Sequence, residues 1–362
     1  MKRFLVVLTT VTFLCYFYAM KSLGAGWVNG VILFIPFLMI WLLPVLYWGK
    51  GEKPDSKLSH VIHYLGYLSM AWISFLFFYL LSADLIQIFV SVPHKEAIVM
   101  SLTCVSLIIG HLIARGGPNL KVEHLKIPTL PTELEGFKIA QITDLHIGLT
   151  IGKVYVQGVV DKTLAANPDL IVLTGDIADG DIKKYADDAG PLKLLGDTGK
   201  AWLVPGNHDY YSNWPAWKKL FSSLGLKILE NEFVLQKHFL LGGVTDPAAK
   251  LYGENYGPNP SKATDPNSKL FKILLAHNPK LAEVSAKAGF DLMLSGHTHA
   301  GQFFPWTVVV KMIHRPHYGG YSEEGKMKVY VGPGTGTWGP PVRLGTKPEI
   351  GLLILSRESS SR

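Results

Sequence analysis

Long apolar runs dominate the first third of the chain. Four of them stand out, over residues 4–20, 28–48, 61–81 and 97–114. Each is close to the roughly 20 residues that a helix needs to cross a bilayer. They are apolar on all sides, whereas a helix of a soluble core usually shows one apolar stripe. The pattern therefore predicts an α-helical membrane domain of four transmembrane helices over residues 1–117.

The first run follows a basic start at Lys2 and Arg3, which is also typical of a secretory signal peptide. No clean small-residue cleavage motif precedes Lys21, which favours an uncleaved anchor. Basic residues in the short flanking loops set the orientation of membrane proteins. Eight lie on one predicted side, against Lys21 and Lys95 on the other. We therefore expect a multi-pass protein of the inner membrane with its large C-terminal part in the cytoplasm.

After residue 117 the pattern changes to short apolar runs separated by polar loops, with helical periodicity between several of them. A linker and first strand over 118–135, a catalytic domain over 136–355 and a flexible tail over 356–362 are predicted. The predicted helices are 153–166, 214–224 and 280–288. The predicted strands are 122–127, 137–143, 170–174, 201–204, 239–244, 271–276, 292–295, 329–331 and 350–355. Alternation of this kind is typical of an α/β fold.

Charge and cysteine content exclude some classes of protein. Residues 116–362 hold 27 Lys and Arg against 24 Asp and Glu, so the marked basic surface of a nucleic-acid-binding protein is not expected. The two cysteines, Cys15 and Cys104, both fall inside apolar runs, which leaves no disulfide framework and no thiolate metal site.

Metal-ligand residues follow five of the predicted strands. Asp144 and His146, two positions apart, come directly after the run FKIAQIT and can point to one common place. The residues after the other four strands are Asp176, then Asn207-His208-Asp209, then His277, then His297-Thr298-His299. Taken singly, Asp176 and Asn207 could be turn or cap residues. Together, the residues predict a metal site at one edge of a sheet.

In this order the motifs D-x-H, G-D, G-N-H-D, a lone His and G-H-T-H resemble the calcineurin-like metallophosphoesterases over about residues 136–355. The later segments HAGQ, PVRLG and PEI are similar to its membrane-associated bacterial branch. The resemblance implies a four-layer double β-sandwich with flanking helices and two divalent metal ions. It assigns Asp144, His146, Asp176 and His299 to one ion, and Asp176, Asn207, His277 and His297 to the other.

Imidazole, carboxylate and amide ligands without thiolates suit Mn, Fe or Zn. Two such ions about 3.5 to 4 Å apart generate a hydroxide and clamp the oxygens of a displacement at phosphorus. The resemblance implies that His208 is the general acid for the leaving group and that Asp179 orients it. Arg343 is a candidate phosphate contact because guanidinium matches phosphate oxygens. Tyr210, Tyr211 and Trp214 could wall the substrate site or serve packing alone.

The sequence thus predicts a membrane-anchored hydrolase of phosphoester or pyrophosphate bonds. The anchor suggests lipid-linked substrates such as nucleotide-linked lipid A precursors. One alternative is a nuclease or cyclic-nucleotide phosphodiesterase with the same centre. Another is a membrane sensor or scaffold that binds without turnover, which the presence of His208 disfavours.

Overall fold

The computed structural model describes residues 2–24, 26–43 and 57–357, and the chain divides into two compact units. The helical unit comprises Met1–Arg115, Phe303–Pro305 and Gly339–Leu344. The sandwich unit comprises Gly116–Gln302, Trp306–Trp338 and Gly345–Arg362. Residues 44–48 of the predicted second span and residues 358–362 of the predicted tail lie outside the described residues.

Four helices make up most of the helical unit: α1 Lys2–Ser22, α2 Trp27–Leu43, α3 Lys57–Gln87 and α4 Lys95–Arg115. Two of them, α3 and α4, are long and apolar enough to cross a membrane by length and composition. The apolar stretches of the other two, Val6–Ser22 and Asn29–Leu43, are shorter. Four helices occur where four apolar runs predicted them. Two of them are candidate membrane spans in the described part of the chain, and a four-span topology stays a prediction.

Two late segments of the chain pack on α3 and α4 inside the helical unit. The ring of Phe303 lies 5.4 Å from that of Phe75, centroid to centroid. A Cβ on Gly110 would lie 2.6 Å from Val342 Cγ1, so α4 accepts this segment only because the residue there is glycine. The amide of Arg343 donates to the Gly110 carbonyl at 2.8 Å. A helical unit predicted from the first third of the sequence therefore also contains residues 303–305 and 339–344.

The sandwich unit contains two six-stranded mixed sheets. The first has the order β1-β14-β2-β4-β6-β7, with bounds β1 Asn119–Lys126, β2 Lys138–Ile142, β4 Leu170–Thr174, β6 Ala201–Val204, β7 Lys227–Ile228 and β14 Glu349–Ser356. The second has the order β12-β13-β11-β10-β9-β8, with bounds β8 Glu232–Leu235, β9 Phe239–Gly243, β10 Phe271–Leu275, β11 Leu292–Ser295, β12 Gly320–Glu324 and β13 Met327–Val331. A two-residue pair joins β3 Ile147–Gly148 to β5 Ala178–Asp179.

Helices in the sandwich unit connect these strands. Their bounds are α5 Lys153–Ala165, α6 Ile182–Tyr185, α7 Lys193–Gly196, α8 Asn207–Tyr211, α9 Trp214–Ser223, α10 Ala282–Lys287 and α11 Trp306–Ile313. Every predicted strand and each of the three predicted helices has a counterpart, with ends that differ by a few residues.

Three apolar cores explain the layering. One holds buried residues of both sheets, such as Val172 and Ile273, and therefore lies between them. A second joins the other face of the first sheet to α5 and α9, where the indole of Trp217 is fully buried. A third joins the second sheet to α10 through residues such as Ala282. Burial of each large side chain stabilises the fold by about 1.5–3 kcal/mol. The result is a helix, sheet, sheet, helix arrangement, as predicted.

Parallel pairing brings the carboxyl ends of key strands to the same edges. In the first sheet β2 pairs with β4 and β4 with β6, all parallel; in the second β10 pairs with β11 in parallel. Gln141 Nε2 of β2 donates to the Ser295 carbonyl of β11 at 2.8 Å, which joins the edges of the two sheets. Loops that follow these strands therefore meet at one place.

Candidate metal centre

The predicted metal ligands gather at this meeting edge as two groups. In the first, His146 Nε2 lies 3.0 Å from His299 Nε2, and His299 Nε2 lies 3.4 Å from Asp144 Oδ1. The ligand atoms of these three buried residues all lie within 4.8 Å of one another. These three side chains come from two loops more than 150 residues apart in sequence and point to one small volume.

The second group forms around Asp176. Its Oδ2 lies 3.1 Å from His277 Nε2, and Asn207 Oδ1 lies 3.2 Å from the same nitrogen. His297 Nδ1 lies 3.0 Å from Asn207 Oδ1. Asp176 Oδ2 is also 3.9 Å from His146 Nε2 of the first group. Asp176 therefore lies between the two groups.

Backbone strain is concentrated at these residues. A positive φ is uncommon outside glycine and costs of order 1–3 kcal/mol. Five of the seven predicted ligands adopt one, with φ of 50–74°: Asp144, His146, Asp176, His297 and His299. The fold accepts this cost at one site, and the strained backbone turns these side chains inward. Strain that clusters in this way is a mark of a functional site.

The glycines of the sequence motifs give the carboxylates room. A Cβ on Gly206 would lie 2.2 Å from Asp176 Oδ1, and one on Gly296 would lie 2.2 Å from Asp144 Oδ2. Gly175 has a φ of +86°, and a Cβ there would lie 2.6 Å from His277 Nδ1. The glycine before the ligand in each of the G-D, G-N-H-D and G-H-T-H motifs thus lies so close to another ligand side chain that no larger residue fits there.

Hydrogen bonds from neighbouring groups orient the ligands. His277 Nδ1 donates to the Thr174 carbonyl at 2.9 Å, so Nε2, 3.1 Å from Asp176 Oδ2, is the ring nitrogen that faces the shared carboxylate. Thr143 Oγ1 donates to Asp144 Oδ2 at 2.6 Å. The amide of His208 donates to Asp176 Oδ1 at 2.7 Å. Partners of this kind fix the ring orientation and tautomer of metal-ligating histidines.

The charge distribution fits a cation. Burial opposes ionisation of Asp176, but the nearby histidines outweigh it and hold the pKa of that carboxyl well below its usual value. Burial and the charge of His277 lower the pKa of His297 to about 3, so its nitrogen offers a lone pair at neutral pH. Two imidazole nitrogens only 3.0 Å apart, with the carboxyl groups of Asp144 and Asp176 beside them, form a donor set that a divalent ion would stabilise. The donor set contains no thiolate and suits Mn, Fe or Zn.

His208 and Asp179 form a pair beside the ligands. His208 Nδ1 donates to Asp179 Oδ1 at 2.9 Å, while Asp179 Oδ2 lies 3.3 Å from His146 Nδ1. Burial works against a charged imidazole, but the Asp179 carboxylate outweighs it and raises the pKa of His208 to about 9. The half-exposed rings of Tyr211 and Trp338 lie 5.6 and 5.8 Å from the His208 ring.

Other residues singled out in the sequence have different surroundings. Asp209 is fully buried and accepts from the amides of Gly206 and Ala178, both at 2.8 Å, so it ties two ligand loops together. Tyr210 and Trp214 are buried in the core beside α9. Arg343 is fully buried within the helical unit, and its contact with phosphate stays a prediction.

Trp338 was not predicted from the sequence. The side chain of Gln302 holds the Trp338 backbone with two hydrogen bonds. Nε2 donates to the Trp338 carbonyl at 3.0 Å, and Oε1 accepts from the Trp338 amide at 2.9 Å. The indole is half-exposed, so the backbone bonds rather than burial hold this ring near His208. Its glycine-rich surroundings were the only signal in the sequence.

Comparison with known proteins agrees with this geometry. Residues 137–301 match the family model for calcineurin-like phosphoesterases. A metallophosphoesterase of Aquifex aeolicus is 31% identical over 241 residues, which cover 65% of this chain and 92% of that protein. The chain therefore belongs to the calcineurin-like metallophosphoesterases, a family of metal-dependent phosphoesterases.

Other relatives are longer than the part that this chain matches. A metallophosphoesterase of Helicobacter pylori strain J99 is 35% identical over 240 residues, 66% of this chain and 64% of that protein. A "transmembrane protein with metallophosphoesterase domain" of Danio rerio is 29% identical over 275 residues, 73% of this chain and 63% of that protein. The chain thus spans just under two thirds of these two relatives. The name of the second relative and the two long apolar helices support membrane association.

Proposed function

We propose that this protein is a membrane-anchored phosphoesterase that uses two divalent metal ions to hydrolyse phosphoester or pyrophosphate bonds. The observation that carries the proposal is the position of Asp176. Its Oδ2 is 3.1 Å from His277 Nε2 and 3.9 Å from His146 Nε2, so one carboxylate serves both groups of ligands. A carboxylate between two sets of imidazoles is well suited to bridge two cations.

Each ion has its own set of ligands in this proposal. Asp144, His146 and His299 would hold one ion, Asn207, His277 and His297 would hold the other, and Asp176 would serve both. When bound, the pair supplies Lewis acidity at the phosphoryl oxygens and a water of lowered pKa. The chain's own contribution is to keep seven ligand atoms oriented by strained backbone and close hydrogen bonds.

His208 supplies the proton that the leaving oxygen needs. The Asp179 carboxylate, 2.9 Å from His208 Nδ1, keeps the imidazole in its charged form and orients it. With Nδ1 directed at Asp179, the Nε2–H remains to donate to a substrate. A proton held ready in this way contributes about 10²–10⁴-fold to a rate.

The substrate class follows from the anchor. A hydrolase attached by apolar helices meets substrates at the bilayer surface, which favours lipid-linked phosphoesters or pyrophosphates such as nucleotide-linked lipid A precursors. The excess of basic residues on one side of the predicted spans favours a cytoplasmic catalytic part in an inner membrane, with four spans. The near-neutral charge of residues 116–362 disfavours a nuclease.

The test compares His208→Ala with the unchanged chain, purified in detergent and loaded with Mn, Fe or Zn. We expect the metal content to be unchanged and kcat to fall about 10²–10⁴-fold on mono-, di- and pyrophosphate esters. His124→Ala, an exposed histidine on β1, is the matched control and should change neither. Full turnover by His208→Ala would refute the acid assignment. A chain that binds metal but hydrolyses no ester in the panel would support a sensor or scaffold instead.

A further inference from the structure

Helix α11 presents an unusually apolar face to its surroundings. Five of its eight residues are large, hydrophobic and exposed, from 37% for Val309 to 73% for Met312; the others are Trp306, Val308 and Ile313. At 100° per residue these five cover one continuous arc of about 160°. In the described part of the sandwich unit, no other α-helix has more than one such residue.

The opposite side of α11 packs against the metal-ligand loop. A Cβ on Gly301 would lie 2.4 Å from the Thr307 Cα, so the helix backbone rests on the turn that follows His299. At the end of the helix, the ring of His314 lies 6.1 Å from that of His297. The apolar arc therefore belongs to an element fixed against the candidate metal centre.

The formal charges in α11 and in the three residues after it are of one sign. Residues 306–316 contain Lys311 and Arg315 and no Asp or Glu. Lys311 Nζ lies 5.3 Å from the centroid of the Tyr318 ring, away from the arc. An apolar face with Trp on it, in a segment whose formal charges are all positive, is the signature of a helix that lies in the plane of an anionic membrane surface.

The chain enters α11 directly from the helical unit. Phe303 and Phe304 pack on Phe75 and Phe78 of α3, with ring centroids 5.4 and 4.5 Å apart. Only Pro305 separates Phe304 from Trp306, the first residue of α11. Because α3 is a candidate membrane span, this short covalent link keeps a bilayer within reach of α11.

We propose that the apolar face of α11 inserts into the surface of the lipid bilayer and forms a second membrane attachment beside the metal centre. Val309 and Met312, nearest the middle of the arc, lie deepest in the lipid, Trp306 lies at the interface, Arg315 contacts anionic headgroups, and Lys311 faces away from the lipid. This attachment does not depend on hydrolysis and holds even if the chain has no phosphoesterase activity.

The test places a nitroxide label on single cysteines of the full chain in nanodiscs of phosphatidylcholine with phosphatidylglycerol, after Cys15→Ala and Cys104→Ala. Met312→Cys and Val309→Cys report on the arc. Lys311→Cys reports on the opposite face of the same helix. Val154→Cys, an exposed valine near the start of α5, is the matched control in another part of the sandwich unit. Electron paramagnetic resonance then measures the collision of each label with oxygen, which partitions into lipid, and with a nickel chelate, which stays in water.

We expect the ratio of oxygen to nickel accessibility to be several times higher at Met312 and Val309 than at Lys311 and Val154. A Met312 label as open to the nickel chelate as the Val154 label would overturn the proposal. Loss of access to both reagents at Met312 and Val309 would also overturn it, because that result indicates a protein partner. The two arc positions keep the test decisive if one variant is poorly folded.

Discussion

Each unit of this protein contains a cluster of charged side chains, and the two clusters differ in kind. In the helical unit Asp84 accepts hydrogen bonds from Tyr18 and Ser22, both at 2.7 Å, and pairs with Lys95 at 2.9 Å. One carboxylate meets one ammonium and two hydroxyls, so the cluster is complete without any other partner. It joins α1, α3 and α4.

The cluster in the sandwich unit is not complete in this sense. Three carboxylates and several imidazoles face one another, and the ion pairs recorded for these carboxylates in the described part of the chain are with histidines. Five of its predicted ligands carry a strained positive φ, whereas in the described helical unit His94 is the only residue other than glycine with one. A complete ion pair stabilises helices, while a strained and incomplete cluster is a site built for a cation.

The largest effect is expected when the shared carboxylate is neutralised. Asp176→Asn removes the charge that lies between both groups of ligands and should lower kcat/KM by about 10³-fold, since several kcal/mol of metal-derived stabilisation are lost. Metal content, measured by inductively coupled plasma mass spectrometry, should fall as well. Asp169→Asn, whose carboxylate caps the Lys138 amide instead, is the control and should keep its metal. Full metal content in Asp176→Asn would remove Asp176 from the ligand set.

Much of the difference between the helical unit and the metal site of the sandwich unit can be predicted from the sequence, because apolar runs and strand ends are local signals. The strands of the two sheets that contribute most to the cores are short apolar runs, and the ligands follow β2, β4, β6, β10 and β11 directly. The strands that were not predicted are short or polar: β3, β5 and β7 have two residues each and β8 has four. β12, for example, reads GYSEE and lies at the edge of its sheet, where no apolar pattern is needed.

Features that depend on distant parts of the chain were not predicted. The helical unit includes residues 303–305 and 339–344, which no local pattern connects to α3 and α4. The same holds for the two bonds from Gln302 that hold Trp338, and for the Thr174 carbonyl that orients His277. Local pattern specifies which residues carry the chemistry, whereas tertiary packing specifies what orients them.

A smaller effect is expected at Asp179, which contacts both the predicted acid and a predicted ligand. Asp179→Asn keeps the shape of the side chain but removes the charge 2.9 Å from His208 Nδ1 and 3.3 Å from His146 Nδ1. Loss of a carboxylate that orients metal-ligating histidines costs about 10–100-fold in affinity or activity. Steady-state kinetics at saturating metal should show the loss mainly in kcat. An effect as large as that of Asp176→Asn would mean that Asp179 is itself a ligand.

The smallest effect is expected in the helical unit and concerns stability alone. Lys95→Met leaves Asp84 without its cation, and the side chains of Lys95 and Asp84 are 10% and 30% exposed. This partial exposure puts the expected cost at about 2 kcal/mol of unfolding free energy, between that of a surface pair and that of a buried one. Thermal unfolding of the detergent-purified chain measures it. The double variant Asp84→Leu with Lys95→Met should recover most of the loss, because it removes the unpaired charge together with its partner. Metal content and turnover should stay unchanged in the single and in the double variant. A loss of bound metal in either variant would show that the two clusters are not independent.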